Sequence, residues 1–152
     1  EVWRALGAIP TSMPFSEIYT ALQTNLINAA ENCPTSYVIN KHSEAAPYYV
    51  KTEHTWMMHP ILASASATMD KVDDSIKQAF YDAAKVASEA IYKAQLEADQ
   101  KNLEDGIKNY GVKYTDTIDR KPFMDIVIPI QDKVAKELGT EDALARVRAL
   151  AK

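Results

Sequence analysis

At 152 residues the chain is one domain by length, large enough to bury roughly two-thirds of the surface of its unfolded form. A hydrophobic fraction of 47% and a charged fraction of 25% are those of an ordinary globular protein. The net charge of -4 comes with no basic patch or lysine-rich amphipathic stretch, which argues against nucleic acid and membrane surfaces as partners.

Cys33 is the only cysteine, so cysteine usage leaves the redox compartment open. Apolar runs such as "IVIPI" fall far short of a membrane span, and "EVWRALG" has no signal-peptide pattern. That opening reads more like the end of a helix than the start of a protein, which raises truncation as an expectation.

Residues 1–6 read as a helix tail stopped by Gly7, a residue suited to a left-handed cap. "AIPTSM" follows as an extended piece, in which Pro10 fixes one torsion and withholds a donor. Ser16 is placed to cap a helix whose Ile18, Ala21 and Leu22 share one face, with Phe15 at the entry. "LINAA" is a short candidate strand, and Pro34 suits the first turn of a helix through "PTSYVINKH". Two further strand candidates, "PYYVKTEHTW" and "ILASASA", flank a turn over residues 57–60, the second weakened by alanine and serine.

The strongest structural signal is a long helix over about residues 73–110. Asp73 or Ser75 serves as N-cap, and Ser75 with Gln78 has capping-box spacing. Ile76, Phe80, Ala83, Ala87, Ala90, Ile91 and Ala94 form an apolar stripe at three-four spacing, which drifts toward Leu96, Leu103 and Ile107. Glu89/Lys93, Glu97/Lys101 and Glu104/Lys108 are i,i+4 pairs in the favourable order. A helix near three times the usual length is expected to touch two separate bodies. A bundle or coiled-coil arm is the other reading.

Gly111 sits where a C-terminal cap belongs, and "VKYTD" is a short strand. "PFMDIVIPIQDKVAKELG" reads as a helix with a kink or break near Pro129. Thr140 is the expected cap of a last helix through Leu150, with Glu141 and Asp142 in its first turn. The order is mixed α/β without a clean βαβ alternation.

Most catalytic motifs are missing: there is no phosphate loop, dinucleotide fingerprint or HExxH zinc motif. His54 and His59 are five residues apart and would face opposite sides of a strand, so no metal site is expected. Cys33 with a histidine would make a nucleophile–base pair, but nothing local lowers its pKa, and a structural cysteine is the simpler reading. "EHTW" gathers Glu53, His54 and Trp56 at a strand end, where ligand sites commonly form; strand-edge decoration with one core tryptophan explains it equally well. Glu31 and Asn32, followed closely by Pro34, sit at the mouth of a helical unit whose folding does not require them.

On "ALGAIPTSMPFSEIYTALQTNLINAAEN", "KHSEAAPYYVKTEHTW" and the long helix after "MDKVDDSIKQAF", the chain resembles the periplasmic solute-binding proteins of TRAP transporters, the DctP-like group. The family pattern matches at Gly7, Ala8, Pro10, Met13, Phe15, Glu17, Tyr19, Ala21, Leu22, Gln23, Glu31 and Asn32. Asn25 departs from the usual glycine, though asparagine tolerates a left-handed turn. Asn28 and Ala29 replace a usual Asp-Gly.

The resemblance implies an α/β chain, the C-terminal part of a two-lobe periplasmic-binding-protein fold, with one long helix spanning the lobes. It implies a receptor that binds a small carboxylate, uses no cofactor, does no chemistry on the ligand and delivers it to TRAP membrane permease subunits. Asn32 would donate to the ligand carboxylate and Phe15 would pack against the ligand, while Glu31 orients basic groups or bonds a hydroxyl. Glu53 aligns with a cleft-facing position and, with His54 and Trp56, completes the expected ligand-binding set. Its carboxylate accepts from hydroxyls and repels a second carboxylate, favouring a sugar acid over a plain dicarboxylate.

Family receptors are about twice this length, and their N-terminal half carries an arginine for the carboxylate; Arg4 is no substitute, lying in the helix before Gly7. The N-terminal lobe segment is therefore expected to be absent from residues 1–152, leaving association with that half or self-association. A helix-rich interaction module without a small ligand is the competing reading.

Overall fold

Several helix ends in this chain are closed by local chemistry that the sequence carries. In α1 (Val2–Ala5) the chain turns at Gly7, at φ +87°. The Gly7 and Ala8 amides donate back to the Arg4 and Trp3 carbonyls. In α2 (Ile18–Gln23) the same double bond pattern forms, from Asn25 to Leu22 and from Leu26 to Ala21. Asn25 holds φ +58°, so asparagine does here what glycine commonly does.

This is a computed structural model, and it describes residues 1–55 and 60–150. The chain divides into two compact units, one of residues 1–15 with 116–152 and one of residues 16–115.

In the first unit, α1 packs on α6 (Lys121–Leu138), and Lys133 Nζ reaches the Glu1 carboxylate at 3.3 Å. Asp119 Oδ1 accepts from the Lys121 amide at the start of α6. α7 (Glu141–Leu150) folds back on α6, where Arg148 clasps Asp132 at 2.6 Å and Gln131 at 3.0 Å.

In the second unit, α3 (Pro34–Ile39) is followed by α4 (His42–Ala45) and then by β1 (Tyr48–Val50). β1 pairs in parallel with β2 (Lys113–Thr115), matching Tyr48 to Lys113, Tyr49 to Tyr114 and Val50 to Thr115. Parallel neighbours need a long crossover, and α5 (Asp74–Asn109) supplies it. At 36 residues α5 is about 54 Å long. Its N-cap is Asp73, whose carboxylate accepts from the Ile76 amide at 3.1 Å and the Ser75 hydroxyl at 2.6 Å. Gln78, the expected capping-box partner, instead bonds Asp82.

The core of this unit holds Ala21, Leu22, Tyr37 and Val112, with His42 and Ser43 also buried. α3 crosses the C-terminal third of α5 through small and polar groups. The Thr35 amide donates to Asp99 at 3.0 Å, and Gly106 lies under Val38 and Val112. Asp99 supplies the negative charge that the first turn of α3 lacks in its own sequence.

Several expectations need correction. "LINAA" is not a strand, because the Leu26 and Ile27 amides both fold back onto the Ala21 carbonyl. "PYYVKTEHTW" shortens to Tyr48–Val50: the Thr52 amide turns back to the Val50 carbonyl and Glu53 takes φ +47°, which ends the ladder. The described part of "ILASASA" forms no strand and leads into turns and a short 3-10 helix, Met69–Lys71. Ser16 lies inside a 3-10 turn, Phe15–Glu17, and does not cap α2. α6 continues through Pro129, so the helix does not break there, although the proline withdraws one intrahelical donor. The Thr140 hydroxyl donates to the Ala135 carbonyl rather than capping α7.

The α5 stripe is not a core face in this chain. Ile76, Phe80 and Ile91 are 43%, 47% and 57% exposed, and packing begins only near Ala98. Nor does the packing surface follow Leu96 and Ile107, which stay exposed. Some outer-face contacts join amide to carboxylate, Gln95 to Asp99 and Gln100 to Glu104, and Lys77 pairs with Asp74 at 3.0 Å. Among the described residues, no helix is long and apolar enough to cross a membrane.

Candidate functional site

The Glu31–Asn32 pair lies at the entrance to α3, where Cys33 is extended (φ -72°, ψ 157°) and Pro34 takes the first helical position. This leaves the Cys33 amide without a helical acceptor. The Asn32 side chain supplies one, its Oδ1 accepting from Cys33 N at 3.0 Å. The consequence is an oriented amide: with the oxygen engaged inward, the NH2 end presents two donors. The backbone of Asn32 is tied separately, because the Tyr49 hydroxyl donates to its carbonyl at 3.1 Å.

Tyr49 stands at the centre of β1, its ring 4.9 Å from that of Tyr37 and 6.2 Å from that of Tyr114. Burial is the main cause that pushes its phenol well above the ordinary range, helped by Cys33 and Asp99. It therefore stays a neutral donor at any physiological pH. Tyr37 is buried, and its hydroxyl donates to the Ala46 carbonyl at 2.7 Å.

The segment after β1 approaches the same place. His54 Nε2 lies 3.6 Å from Glu31 Oε2, while Nδ1 bonds the Thr52 hydroxyl at 2.6 Å. Glu53, between them, pairs with Lys51 at 3.5 Å. It holds a left-handed φ of +47°, uncommon for a residue with a long side chain. All four side chains of these two ion pairs are one-third exposed or more, so the pairs contribute little to stability, about 0–1 kcal/mol each. Their effect is on placement: one brings the segment after β1 to Glu31, and the other holds Glu53 against Lys51.

Of the six sequence candidates, Glu31 and His54 are brought into contact, and Asn32 and Glu53 adjoin them in the chain, each held by its own bond, to Cys33 and to Lys51. Phe15 belongs to the other compact unit, at the start of the 3-10 turn with half of its surface exposed. Trp56 lies outside the described residues, as does His59.

Tyr49, Thr52 and Lys51 belong to the site but were not among the sequence candidates. Alternation along "PYYVKT" puts Tyr49 on the face opposite Tyr48, but no local pattern shows that its hydroxyl reaches Asn32. The Cys33 thiol bonds the Ser36 hydroxyl at 3.3 Å, a structural arrangement. Among the described residues, no group of three or more His, Cys, Asp or Glu is placed to hold a metal ion. The face offers hydrogen-bond donors and acceptors, with no activated nucleophile beside a base.

Comparison with known proteins gives a consistent set. The family described as bacterial extracellular solute-binding protein, family 7, matches residues 1–138. The 2,3-diketo-L-gulonate-binding periplasmic protein YiaO of Escherichia coli K12 is 34% identical over 126 residues, which is 81% of this chain and 37% of that protein. A TRAP periplasmic solute binding protein from Bradyrhizobium sp. BTAi1, solved in complex with α/β-D-galacturonate, superposes with a TM-score of 0.81 at 30% identity. The match covers 98% of this chain and 50% of that one. A second, from Chromohalobacter salexigens with bound D-glucuronate, gives a TM-score of 0.77 at 26% identity, covering 97% of this chain and 49% of that one. The chain therefore shares their fold over nearly its whole length, and spans half or less of the length of each.

Proposed function

This chain belongs to the bacterial extracellular solute-binding proteins of family 7, and we propose that it forms the C-terminal portion of a two-lobe periplasmic receptor. That receptor captures a sugar-acid anion and delivers it to the membrane permease of a TRAP-type secondary transporter. The observation that supports this reading best is the oriented Asn32 carboxamide, whose oxygen accepts from the Cys33 amide, next in the chain to Glu31, which contacts His54. Relatives with bound galacturonate and glucuronate, and one named for diketogulonate, support the ligand class.

The proposed chemistry is recognition without bond-making. Asn32 donates to the ligand carboxylate. Glu31 and Glu53 accept from ligand hydroxyls, and His54 holds Glu31. The remainder of the receptor contributes the guanidinium that pairs with the carboxylate, and packs along the exposed flank of α5. The exposure of Ile76, Phe80 and Ile91 also favours a second reading, a helix-rich interaction module with no small ligand.

Titration of the full-length receptor with D-glucuronate, D-galacturonate and succinate separates the two. The sugar acids are expected to bind and raise the melting temperature. Asn32→Ala is expected to weaken them about 10- to 150-fold, the range for losing a hydrogen bond to a charged group, about 1.5–3 kcal/mol. Absence of stabilisation by all three ligands, with Asn32→Ala equally inert, refutes the receptor reading.

A further inference from the structure

We propose that the Tyr49 hydroxyl is the positioning group for the Asn32 carboxamide, so that a residue on the sheet sets the ligand affinity of the loop before α3. The proposal rests on the reading of Asn32 as the ligand's donor. It starts from how little else Tyr49's hydroxyl does. The ring is already placed by Tyr37 on one side and Tyr114 on the other, and its backbone by the ladder to β2. The hydroxyl makes one bond out of this stack, to the Asn32 carbonyl at 3.1 Å.

Asn32 needs such a tie. Its Oδ1 accepts from the very next amide, at 3.0 Å, a contact that survives only while the Asn32 backbone keeps its present torsions. Downstream the chain is fixed by Pro34 and by the Asp99 bond to the Thr35 amide. Upstream, residues 27–33 carry no regular structure. Tyr49 is the tie on Asn32 itself. Without it the carbonyl is released to water and the carboxamide samples other rotamers, so the ligand must pay for ordering it.

Tyr37 is a matched control. Its hydroxyl also bonds a backbone carbonyl, that of Ala46 at 2.7 Å, and it shares the same stack without touching Asn32. Tyr49→Phe and Tyr37→Phe, each alone and with Asn32→Ala, are compared in the full-length receptor by calorimetric titration with D-glucuronate. Hydrogen exchange at the Cys33 amide is followed in parallel. Tyr49→Phe is expected to weaken binding about five- to tenfold, and Tyr37→Phe less than about twofold. In the Asn32→Ala background Tyr49→Phe should cost nothing further, because its effect passes through the missing carboxamide. Cys33 exchange should accelerate in Tyr49→Phe and not in Tyr37→Phe.

Equal losses from the two tyrosine variants, or a full Tyr49→Phe loss without Asn32, overturn the proposal. If the wild-type receptor binds no sugar acid, the function proposed above fails, and the exchange measurement still decides this one. Unchanged Cys33 protection in Tyr49→Phe then refutes the positioning role, and selective loss of protection supports it.

Discussion

Gly106→Ala puts opposing effects on one residue, and the structure predicts which wins. Gly106 is buried in α5 where α3 crosses. A Cβ built there would lie 3.1 Å from Val38 Cγ2 and 3.2 Å from Val112 Cγ2. Carbon atoms prefer separations of about 3.5–4.0 Å, so both contacts are several tenths of an ångström short. Val38 cannot swing aside, because a valine inside a helix is held in one χ1 rotamer. Val112 is buried and its amide is bonded to the Gly106 carbonyl. The crossing itself must open.

Overpacking of this kind costs about 1–3 kcal/mol, against about 1 kcal/mol gained when alanine replaces glycine inside a helix. The net is a destabilisation of about 0–2 kcal/mol, or a fall in Tm of up to roughly 8 °C for a chain of this size. Circular dichroism at 222 nm during thermal unfolding measures it, and Val38→Ala in the Gly106→Ala background should recover part of the loss. A Tm raised by 2 °C or more in Gly106→Ala would refute the reasoning, since helix propensity alone would then have prevailed.

Two further outcomes follow from side chains away from the ligand face. Asp73→Ala removes the cap of α5 and should lower stability, readable as a fall in Tm, whereas Asp73→Ser should recover most of it. Burial lowers the pKa of His42, so the folded state keeps it neutral while the unfolded chain protonates near pH 6.5. More protons are then bound by the unfolded state, and His42's contribution is lost as pH falls from 6.5 toward its folded pKa. Tm measured from pH 7.5 to 5 should fall less steeply in His42→Gln than in the wild type; parallel slopes would contradict the assignment.

What could be read from the sequence was local chemistry. Gly7, Pro34, Asp73 and Gly111 each act within a turn of their own position, and each ends or starts the element expected of it. The failures were non-local. The Ala21 carbonyl collects both the Leu26 and Ile27 amides, which turns an apparent strand into a helix ending. The Asp99 bond to Thr35 spans 64 residues, and the Tyr49 bond to Asn32 spans 17. Residue types singled out the Glu31–Asn32 pair as not required by folding and Glu53 with His54 as a ligand cluster or strand-edge decoration, and the family resemblance supplied their expected roles. What they could not supply was the Tyr49 tie, because a tyrosine in a strand is sufficiently explained by packing.

The structure also changes the argument about which acid fits. The sequence-based case for a sugar acid used Glu53 as a charge that repels a second carboxylate. Lys51, 3.5 Å away, blunts that repulsion, and both side chains are about half exposed, where solvent screens what remains. Selectivity by charge is therefore weak at this face. Selectivity by hydrogen-bond count is not. Glu31 and Glu53 are acceptors when ionised, so the face can satisfy more ligand donors than ligand acceptors. In the proposed receptor Asn32 is the donor to one carboxylate. A hexuronate adds hydroxyls for Glu31 and Glu53, whereas a plain dicarboxylate adds only further acceptors, for which Lys51, already engaged by Glu53, is the nearby donor. The balance of donors and acceptors, more than the charge of Glu53, is what favours a polyhydroxylated monocarboxylate.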